Sequence, residues 1–411
     1  MRSDPGSGDA AMKCLWIARD IPYPMVAGAK VYSAKLAQSL AQAGAAVRYL
    51  GFGELDAVPE HAGVEWVAVP HGKRSEALAV FSSLPNGAAI DATAAYKALL
   101  DEQLREHWDA IVFDGYGAGW ALARCLKHRG PARRRPVLVH VSHNHEERLW
   151  LSMVRRAKTS IPWRLVLWQN YLKVRALERR IARSVNLLTT ITDEDRHMLT
   201  THSTAGNPAN ARAITLTPGY EGDAAGNRLI GAHTPRRVII IGSFRWVMKQ
   251  ENLTRFVELA DPVFAQHDIE LDVVGDVPEP LLATLQARCR ATHFHGFVDD
   301  FAPLLARARI AVVPELIGGG FKLKFLDYIF ARVPVATLSE ATAGLPASLR
   351  QQMLARDDLA ALVDAIVAAI DRTGELNRMQ QRAIEISEAL FRWEDRGLQL
   401  LQAISQVQHE R

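Results

Sequence analysis

The residues with the most chemical promise in this sequence run Pro314-Glu315-Leu316-Ile317-Gly318-Gly319-Gly320-Phe321-Lys322-Leu323-Lys324-Phe325-Leu326-Asp327, where three consecutive glycines join a strand pattern to a helix pattern. Ile310 to Val313 just before them is short, apolar and β-branched, as a strand buried on both faces of a parallel sheet must be. After the glycines, Phe321, Phe325, Leu326 and Ile329 fall at helical spacing. The glycines therefore occupy a predicted strand-to-helix turn. Backbone N–H groups at the start of a helix lack intrahelical partners and carry the positive end of its dipole, so a phosphate can approach such glycines and accept from them. Asp327, two turns on, can take sugar hydroxyls at the same site. The same three glycines serve equally well as a plain loop.

The elements that would position this turn follow from length and patterning. With 411 residues, nearly half of them hydrophobic, the chain exceeds one compact core and predicts two domains. Strand and helix patterns alternate twice. The first series begins with a strand at Cys14 to Ala18, a loop through Pro22, Pro24 and Gly28, and a helix with Val31, Ala34, Leu36, Ala37 and Leu40 on its apolar face, stopped by Gly44. Strands follow at 47–50, 66–69, 110–113, 137–141 and 186–191, with helices around 96–104, 120–127 and 165–182. The second series has strands at 238–241, 271–274, 293–295, 310–313 and 333–337, and a helical, amphipathic stretch from Leu376 onward. This is the α/β pattern of two doubly wound, Rossmann-like domains, whose facing surfaces leave a cleft as the default ligand site.

The boundaries read as a disordered leader over 1–11, a first domain over 12–218, a glycine-rich linker over 219–235, a second domain over 236–388, and a C-terminal helix over 389–411 packing back toward the first domain. A net charge of +4 spread over this length does not call for nucleic acid. Cys14, Cys125 and Cys289 are too far apart for a disulfide framework or a ligand motif, which predicts a reducing, cytoplasmic setting. No apolar run reaches the roughly 18 residues a bilayer span needs.

Three further clusters carry chemistry less directly. Asp193-Glu194-Asp195 has a metal-binding form, but it follows Thr192 at a predicted helix start, where carboxylates favour the dipole; Asp299-Asp300 reads as a cap in the same way. His140, His143 and His145 alternate along a strand end without the further ligands that zinc requires. Arg155 to Arg183 sets nine basic residues against the single acid Glu178 and interleaves them with Trp163, Trp168 and Tyr171. That suits contact with an anionic membrane surface, or an ordinary core helix with a solvated basic face.

In order and spacing these residues resemble a GT-B glycosyltransferase, in particular the retaining family 4. Gly242-Ser243-Phe244-Arg245-Trp246 with Lys249 is similar to the family's glycine turn, where a basic side chain meets the nucleotide diphosphate. Val273-Val274-Gly275-Asp276 resembles its strand ending in glycine, and His295-Gly296-Phe297-Val298 its element beside the nucleobase. Gly318 to Asp327 resembles the diphosphate and ribose loop, and Phe391 with Trp393 the "Phe-x-Trp" opening the last helix. In the first half, Pro22, Pro24, Gly28 and Lys30 look like the family's loop before the first helix. Ser142-His143-Asn144-His145-Glu146 resembles a "His-Asn-x-Glu" that sets a histidine against the reacting sugar.

The resemblance implies a metal-free enzyme without cofactor, using a nucleotide-sugar donor and a saccharide or polyprenyl-diphosphate-linked acceptor in polysaccharide or cell-envelope synthesis. Arg245, Lys249 and His143 would be catalytic. Gly242, Ser243, Gly275, Phe297, Glu315, Gly318, Gly319, Gly320, Phe321, Lys322, Lys324 and Asp327 would bind the donor, and Gly28, Lys30, Asn144 and Glu146 would face the acceptor. Lys324 also fits a solvated helix position. The sequence departs from the family where its paired glutamates stand eight positions apart: here the positions hold Gly319 and Asp327. A nucleotide-sugar epimerase and a non-catalytic nucleotide-sugar-binding protein are the alternatives.

Overall fold

The computed structural model describes residues 11–25, 27–59, 63–70, 72, 79–127, 135–156, 160–204, 212–222, 225–316 and 320–411. The chain divides into two compact units, one of residues 1–218 with 393–411 and the other of residues 219–392. The segment over 219–235 belongs to the second unit, and most of the leader lies outside the described residues.

The first unit alternates β1 (Lys13–Asp20), α1 (Gly28–Gln42), β2 (Ala46–Phe52) and β3 (Glu65–Ala68), then α2 (Asn86–Asp91) and α3 (Ala94–Gln103). It continues through β4 (Ala110–Asp114), α4 (Leu122–Lys127), β5 (Val137–Val141), α5 (Glu146–Arg156) and α6 (Ile161–Ser184). β6 (Leu187–Thr190), α7 (Asp193–Thr204) and β7 (Arg212–Thr215) complete the sheet. Its seven parallel strands run in the order β3-β2-β1-β4-β5-β6-β7. The order reverses between β1 and β4, the point at which loops leave the sheet in opposite directions and open a crevice above the strand ends. β4 and β5 are buried along their whole length, as their unbroken apolar runs require.

The second unit repeats the scheme: β8 (Arg237–Ile241), α8 (Val247–Gln266), β9 (Glu270–Val274), α9 (Glu279–Gln286), β10 (Thr292–Gly296), α10 (Ala302–Arg307) and β11 (Ile310–Val313). After these come α11 (Lys324–Phe330), β12 (Val335–Leu338), α12 (Ala347–Arg350), β13 (Leu354–Arg356), α13 (Leu359–Ala369) and α14 (Thr373–Leu390). Its six parallel strands run β10-β9-β8-β11-β12-β13, with the reversal between β8 and β11. Apolar clusters cover both faces of this sheet, one through Phe256, Phe264 and Leu362, the other through Phe325, Tyr328 and Ile384. The last helix, α15 (Trp393–His409), returns to the first unit. There Gly397 lies so close to α1 that a methyl group on it would meet the Ser39 carbonyl oxygen at 2.0 Å.

The structure departs from the sequence expectation at a few elements. The edge strands β7 and β13 are too short to show a period, and β12 begins at Val335 rather than Val333. α11 starts at Lys324, so Phe321 precedes the helix and packs against Phe391 with ring centroids 5.8 Å apart. The helical stretch after Leu376 is two helices, broken at Phe391 and Arg392. Thr192 does cap its helix, accepting the Asp195 N–H at 3.1 Å, and Asp300 accepts the Ala302 N–H at 2.9 Å.

Candidate functional site

Each unit gathers polar groups at its own strand-order reversal. In the first unit a cavity of about 230 Å³ opens above the ends of β1 and β4, lined by Arg19, Lys30, Ser33, Asp114, His143 and Glu146 among others. Asp114 ends β4 and is buried there. Its Oδ2 accepts the Trp16 indole N–H at 2.8 Å and the Tyr49 hydroxyl at 3.3 Å, and its Oδ1 lies 2.5 Å from His143 Nε2. With Asp114 as carboxylate, His143 carries a proton on Nε2 and donates it. Nδ1 of the same ring is buried and has no partner among the described residues. Tyr32 of α1 stands edge-on to the imidazole at 5.5 Å, anchored by its hydroxyl to the Leu216 carbonyl at 2.7 Å and flanked by Trp393.

Burial opposes a charged imidazole, but the Asp114 carboxylate overrides it and holds His143 above the usual histidine range. Burial would likewise push Asp114 up, yet His143 and the Trp16 donor hold it below the usual carboxylate range. Glu146 opens α5 in the same cavity, and burial raises it to about 7 despite the Asn144 amide and His143. Glu146 therefore shares one pocket with the His143–Asp114 pair, an arrangement suited to moving or sharing a proton.

The second unit gathers ammonium groups instead. Glu315, just past the end of β11, is buried and accepts the Lys324 ammonium at 2.7 Å. Burial works against its charge; Lys324, Lys322 and Lys249 together keep it below the usual range. Lys249 on α8 forms no ion pair among the described residues, and burial beside Lys324 lowers its pKa. Three ammonium groups around one carboxylate leave an excess of positive charge at the strand ends. Gly242 ends β8 beside them: a methyl group there would stand 3.5 Å from the Lys324 ammonium. Gly275 has φ +122°, and a methyl on it would fall 1.8 Å from the Gly242 carbonyl oxygen, so the backbone of the two strand ends demands glycine.

The remaining predicted residues are placed as follows. Lys324 is nearly buried and ion-paired, not solvated. Arg245 is exposed and pairs with Asp276 at 2.6 Å rather than with the lysine cluster; Ser243 and Phe297 are exposed too. Gly320 has φ +67° and accepts Lys322 Nζ at 2.9 Å through its carbonyl; Gly318 and Gly319 lie outside the described residues. Asp327 is in the first turn of α11, and burial raises it to about 6 against the pull of Lys324. Gly28 is the first residue of α1. Asn144 reaches Glu146 at 3.4 Å on the cavity wall. Sequence reading missed Asp114, Tyr32, Ser33 and Arg19; the one signal for Asp114 was a carboxylate terminating an apolar strand before a glycine.

The three alternating histidines turn to separate partners. His140 Nδ1 meets the Phe113 carbonyl at 3.1 Å, and burial lowers its pKa to about 4, so it is neutral. Among the described residues, His145, Glu147 and Glu178 bring potential metal-ligand atoms within 4.8 Å of one another. Those carboxylates are already engaged: Glu178 accepts the Glu146 and Glu147 N–H groups at 2.7 and 2.9 Å, and Glu147 holds Arg175 and Arg179.

Comparison with known proteins bears on the fold. Residues 235–372 match the family model described as glycosyl transferases group 1. No curated protein sequence matches the chain significantly. Among solved structures, HepE of Anabaena in complex with UDP-glucose superposes with a TM-score of 0.65 at 13% identity, covering 96% of this chain and 100% of its own. WaaG, a glycosyltransferase involved in lipopolysaccharide biosynthesis, gives 0.64 at 18% identity over 94% of this chain and 99% of its own. The trehalose-6-phosphate synthase OtsA gives 0.66 at 12% identity over 96% of this chain and 99% of its own. The fold is that of these proteins: two Rossmann-like units of the GT-B kind.

Proposed function

We propose that this protein is a glycosyltransferase. It would take a sugar from a nucleotide-diphosphate donor bound by the second unit and pass it to a saccharide or polyprenyl-diphosphate-linked acceptor received in the first unit's cavity. The observation that carries this reading is the excess of ammonium groups, Lys249, Lys322 and Lys324 around Glu315, at the strand-order reversal of the segment that matches the family model. A diphosphate leaving group gathers negative charge as the bond to the anomeric carbon breaks, and preformed cations in a partly dry site stabilise that charge without a metal. Asp327 then takes the ribose hydroxyls, Phe297 flanks the base, and the backbone at Gly318 to Gly320 meets the phosphates.

In the transfer the anomeric carbon–phosphate oxygen bond breaks, the acceptor oxygen bonds to the same carbon, and the acceptor's proton passes to a departing diphosphate oxygen. The first unit orients the acceptor hydroxyl: His143, aligned by Asp114, faces it across the cavity, while Lys30, Asn144 and Glu146 bind neighbouring hydroxyls. Retention of configuration, as in family 4, fits a site with no carboxylate assigned as covalent nucleophile. A lipid-linked acceptor would set the enzyme in polysaccharide or cell-envelope synthesis, in the cytoplasm with peripheral contact to the membrane.

The test is a thermal-shift and calorimetric screen of the purified protein against UDP, GDP, ADP, dTDP and CMP and their sugar conjugates in the presence of EDTA. One nucleoside diphosphate should stabilise the protein and lose its effect in Lys249→Ala. No response to any of them, with or without magnesium, refutes the donor site.

A further inference from the structure

The first unit carries a surface that the transfer chemistry does not use. α6 buries one face through Tyr171, Val174, Leu177 and Ile181, as a helix lying on a sheet should. Its opposite face ought then to be polar. Instead Ile161, Leu165, Trp168 and Leu172, spaced by four, three and four residues, form a continuous exposed stripe, and Trp163 is exposed on the far side of the first turn. Ile161 is 76% exposed and Trp163 62%. At 1.5 Å per residue the stripe runs for roughly 16 Å.

A second segment adds to the same surface. Lys173 Nζ donates to the Val80 carbonyl at 2.8 Å, and Asn170 accepts the Asn86 N–H at 2.8 Å, so the loop around residue 81 is tied to α6 next to Leu172. Phe81, the residue after the tether, is 88% exposed. Exposed apolar groups thus stand on α6 and on a segment hydrogen-bonded to it, and exposed apolar surface of this extent marks an interaction surface.

The charges around it identify the partner. From Arg148 through Leu177 the sequence holds no Asp or Glu and seven Lys or Arg residues. Arg175 is taken up by Glu147, whereas Arg155 and Arg164 are exposed, Arg164 next to Trp163 in the first turn of α6. No helix among the described residues is long and apolar enough to cross a bilayer. Tryptophan, leucine and isoleucine on a basic helix face, lying flat, is the composition that enters the boundary between headgroups and acyl chains of anionic membranes.

We propose that the Ile161-Leu165-Trp168-Leu172 stripe and Phe81 insert into the surface of an anionic phospholipid bilayer, with Arg155 and Arg164 on the headgroups. The inference rests on the transferase reading for its purpose, since it would bring the enzyme to an acceptor held in that bilayer, but its test needs no donor. It also narrows the sequence expectation: the apolar stripe near the start of α6, rather than the whole basic segment 155–183, makes the contact.

The full-length protein should float with vesicles of phosphatidylcholine containing about 30% phosphatidylglycerol and much less with phosphatidylcholine alone, with release at high salt. Its tryptophan emission should shift to the blue on binding. Ile161→Ser/Leu165→Ser/Trp168→Ser should weaken flotation by about tenfold or more, and Phe81→Ser, a single change on an exposed loop, should weaken it to a lesser degree. Both should keep the nucleotide-induced thermal shift of the parent, which separates loss of lipid binding from misfolding. Absence of flotation, or flotation unchanged in both variants, overturns the proposal. So does a parent protein that sediments as a dimer and is made monomeric by the same substitutions without binding vesicles, because the stripe would then be covered by a second copy. Flotation with no response to any nucleotide would leave the membrane surface standing and remove the transferase reading.

Discussion

The two strand-order reversals handle charge in opposite ways. At the end of β4 the buried charges are matched one to one, Asp114 against His143, with Glu146 close by and raised to about 7. At the end of β11 they are mismatched, with Lys249, Lys322 and Lys324 sharing Glu315. A matched pair needs no further counterion and can shift a proton; a mismatched cluster is incomplete until an anion arrives. Two units built on the same doubly wound scheme thus differ in the charge gathered at their strand-order reversals, and on the proposed function activity should separate into two kinds of loss.

The largest loss should come from the matched site. Asp114→Asn keeps the shape and the contacts to Trp16 and Tyr49 but removes the charge that aligns His143. Turnover should fall by about 10²- to 10⁴-fold, while affinity for the nucleoside diphosphate, measured by calorimetry, stays within about twofold of the parent. The pH profile gives a second signature. Without the carboxylate, only Glu146 still opposes burial at His143, so the limb it controls should move to lower pH. In the parent, His143 contributes stability fully below pH 6.5, its unperturbed value, and loses it as the pH rises through its elevated folded value. Asp114 contributes above 3.8 and loses its share as the pH falls through its depressed one. A chemical-denaturation series should therefore find their joint contribution greatest between about pH 4 and 6.5. If Asp114→Asn abolished nucleotide binding instead, the division of labour would be wrong.

The mismatched site should respond in the reverse sense. Lys249→Ala removes a cation with no ion-pair partner among the described residues, so it leaves no buried carboxylate stranded. Nucleotide affinity and turnover should both fall by about 10²- to 10³-fold with the melting temperature nearly unchanged. Lys324→Ala is the less informative variant, because it strips Glu315 of its partner and costs about 3 to 5 kcal/mol of stability as well. Arg245 sharpens the point: exposed and already paired with Asp276, it should cost less than about tenfold when changed to alanine.

How much of this was visible in the sequence follows from how each site is built. The second site lies largely within a short contiguous stretch, Glu315 to Asp327, so spacing marked its glycine turn, and the family resemblance added Gly242 and Lys249. The first is assembled from Trp16 on β1, Tyr32 on α1, Tyr49 on β2, Asp114 on β4 and His143 after β5. No spacing announces a carboxylate that meets His143 only when parallel pairing sets β4 between β1 and β5. The fold itself was legible because central strands buried on both faces read as unbroken apolar runs; β7 and β13 were not, being short edge strands. Lys324 was ambiguous because a helical lysine with a buried partner nine positions earlier has the sequence of a solvated one. Gly275 stood among the five glycines assigned to the donor, and its close approach to Gly242 requires glycine there. Gly275→Ala should therefore lower stability by about 3 kcal/mol in denaturant unfolding, whether or not nucleotide is present.

The smallest effect is the most discriminating. Burial raises Asp327 to about 6, and in the proposed complex its carboxylate accepts ribose hydroxyls. A group whose folded pKa exceeds its unfolded value stabilises the free protein fully below 3.8, and that contribution is lost as the pH rises through 6. Ligand affinity must run the other way, since only the ionised form gives a charge-assisted acceptor. Between pH 5 and 7.5 the free protein should lose a little stability while the nucleoside diphosphate binds up to about tenfold more tightly. Asp327→Asn should flatten both trends, because the amide does not titrate. An affinity that failed to rise with pH in the parent, or rose unchanged in the variant, would move the ribose away from Asp327 and leave the lysine cluster as the only anchor of the donor. Glu146, raised to about 7 at the matched site, titrates in the same window, so it is the flattening of both trends in Asp327→Asn that assigns the bound nucleotide to the second reversal.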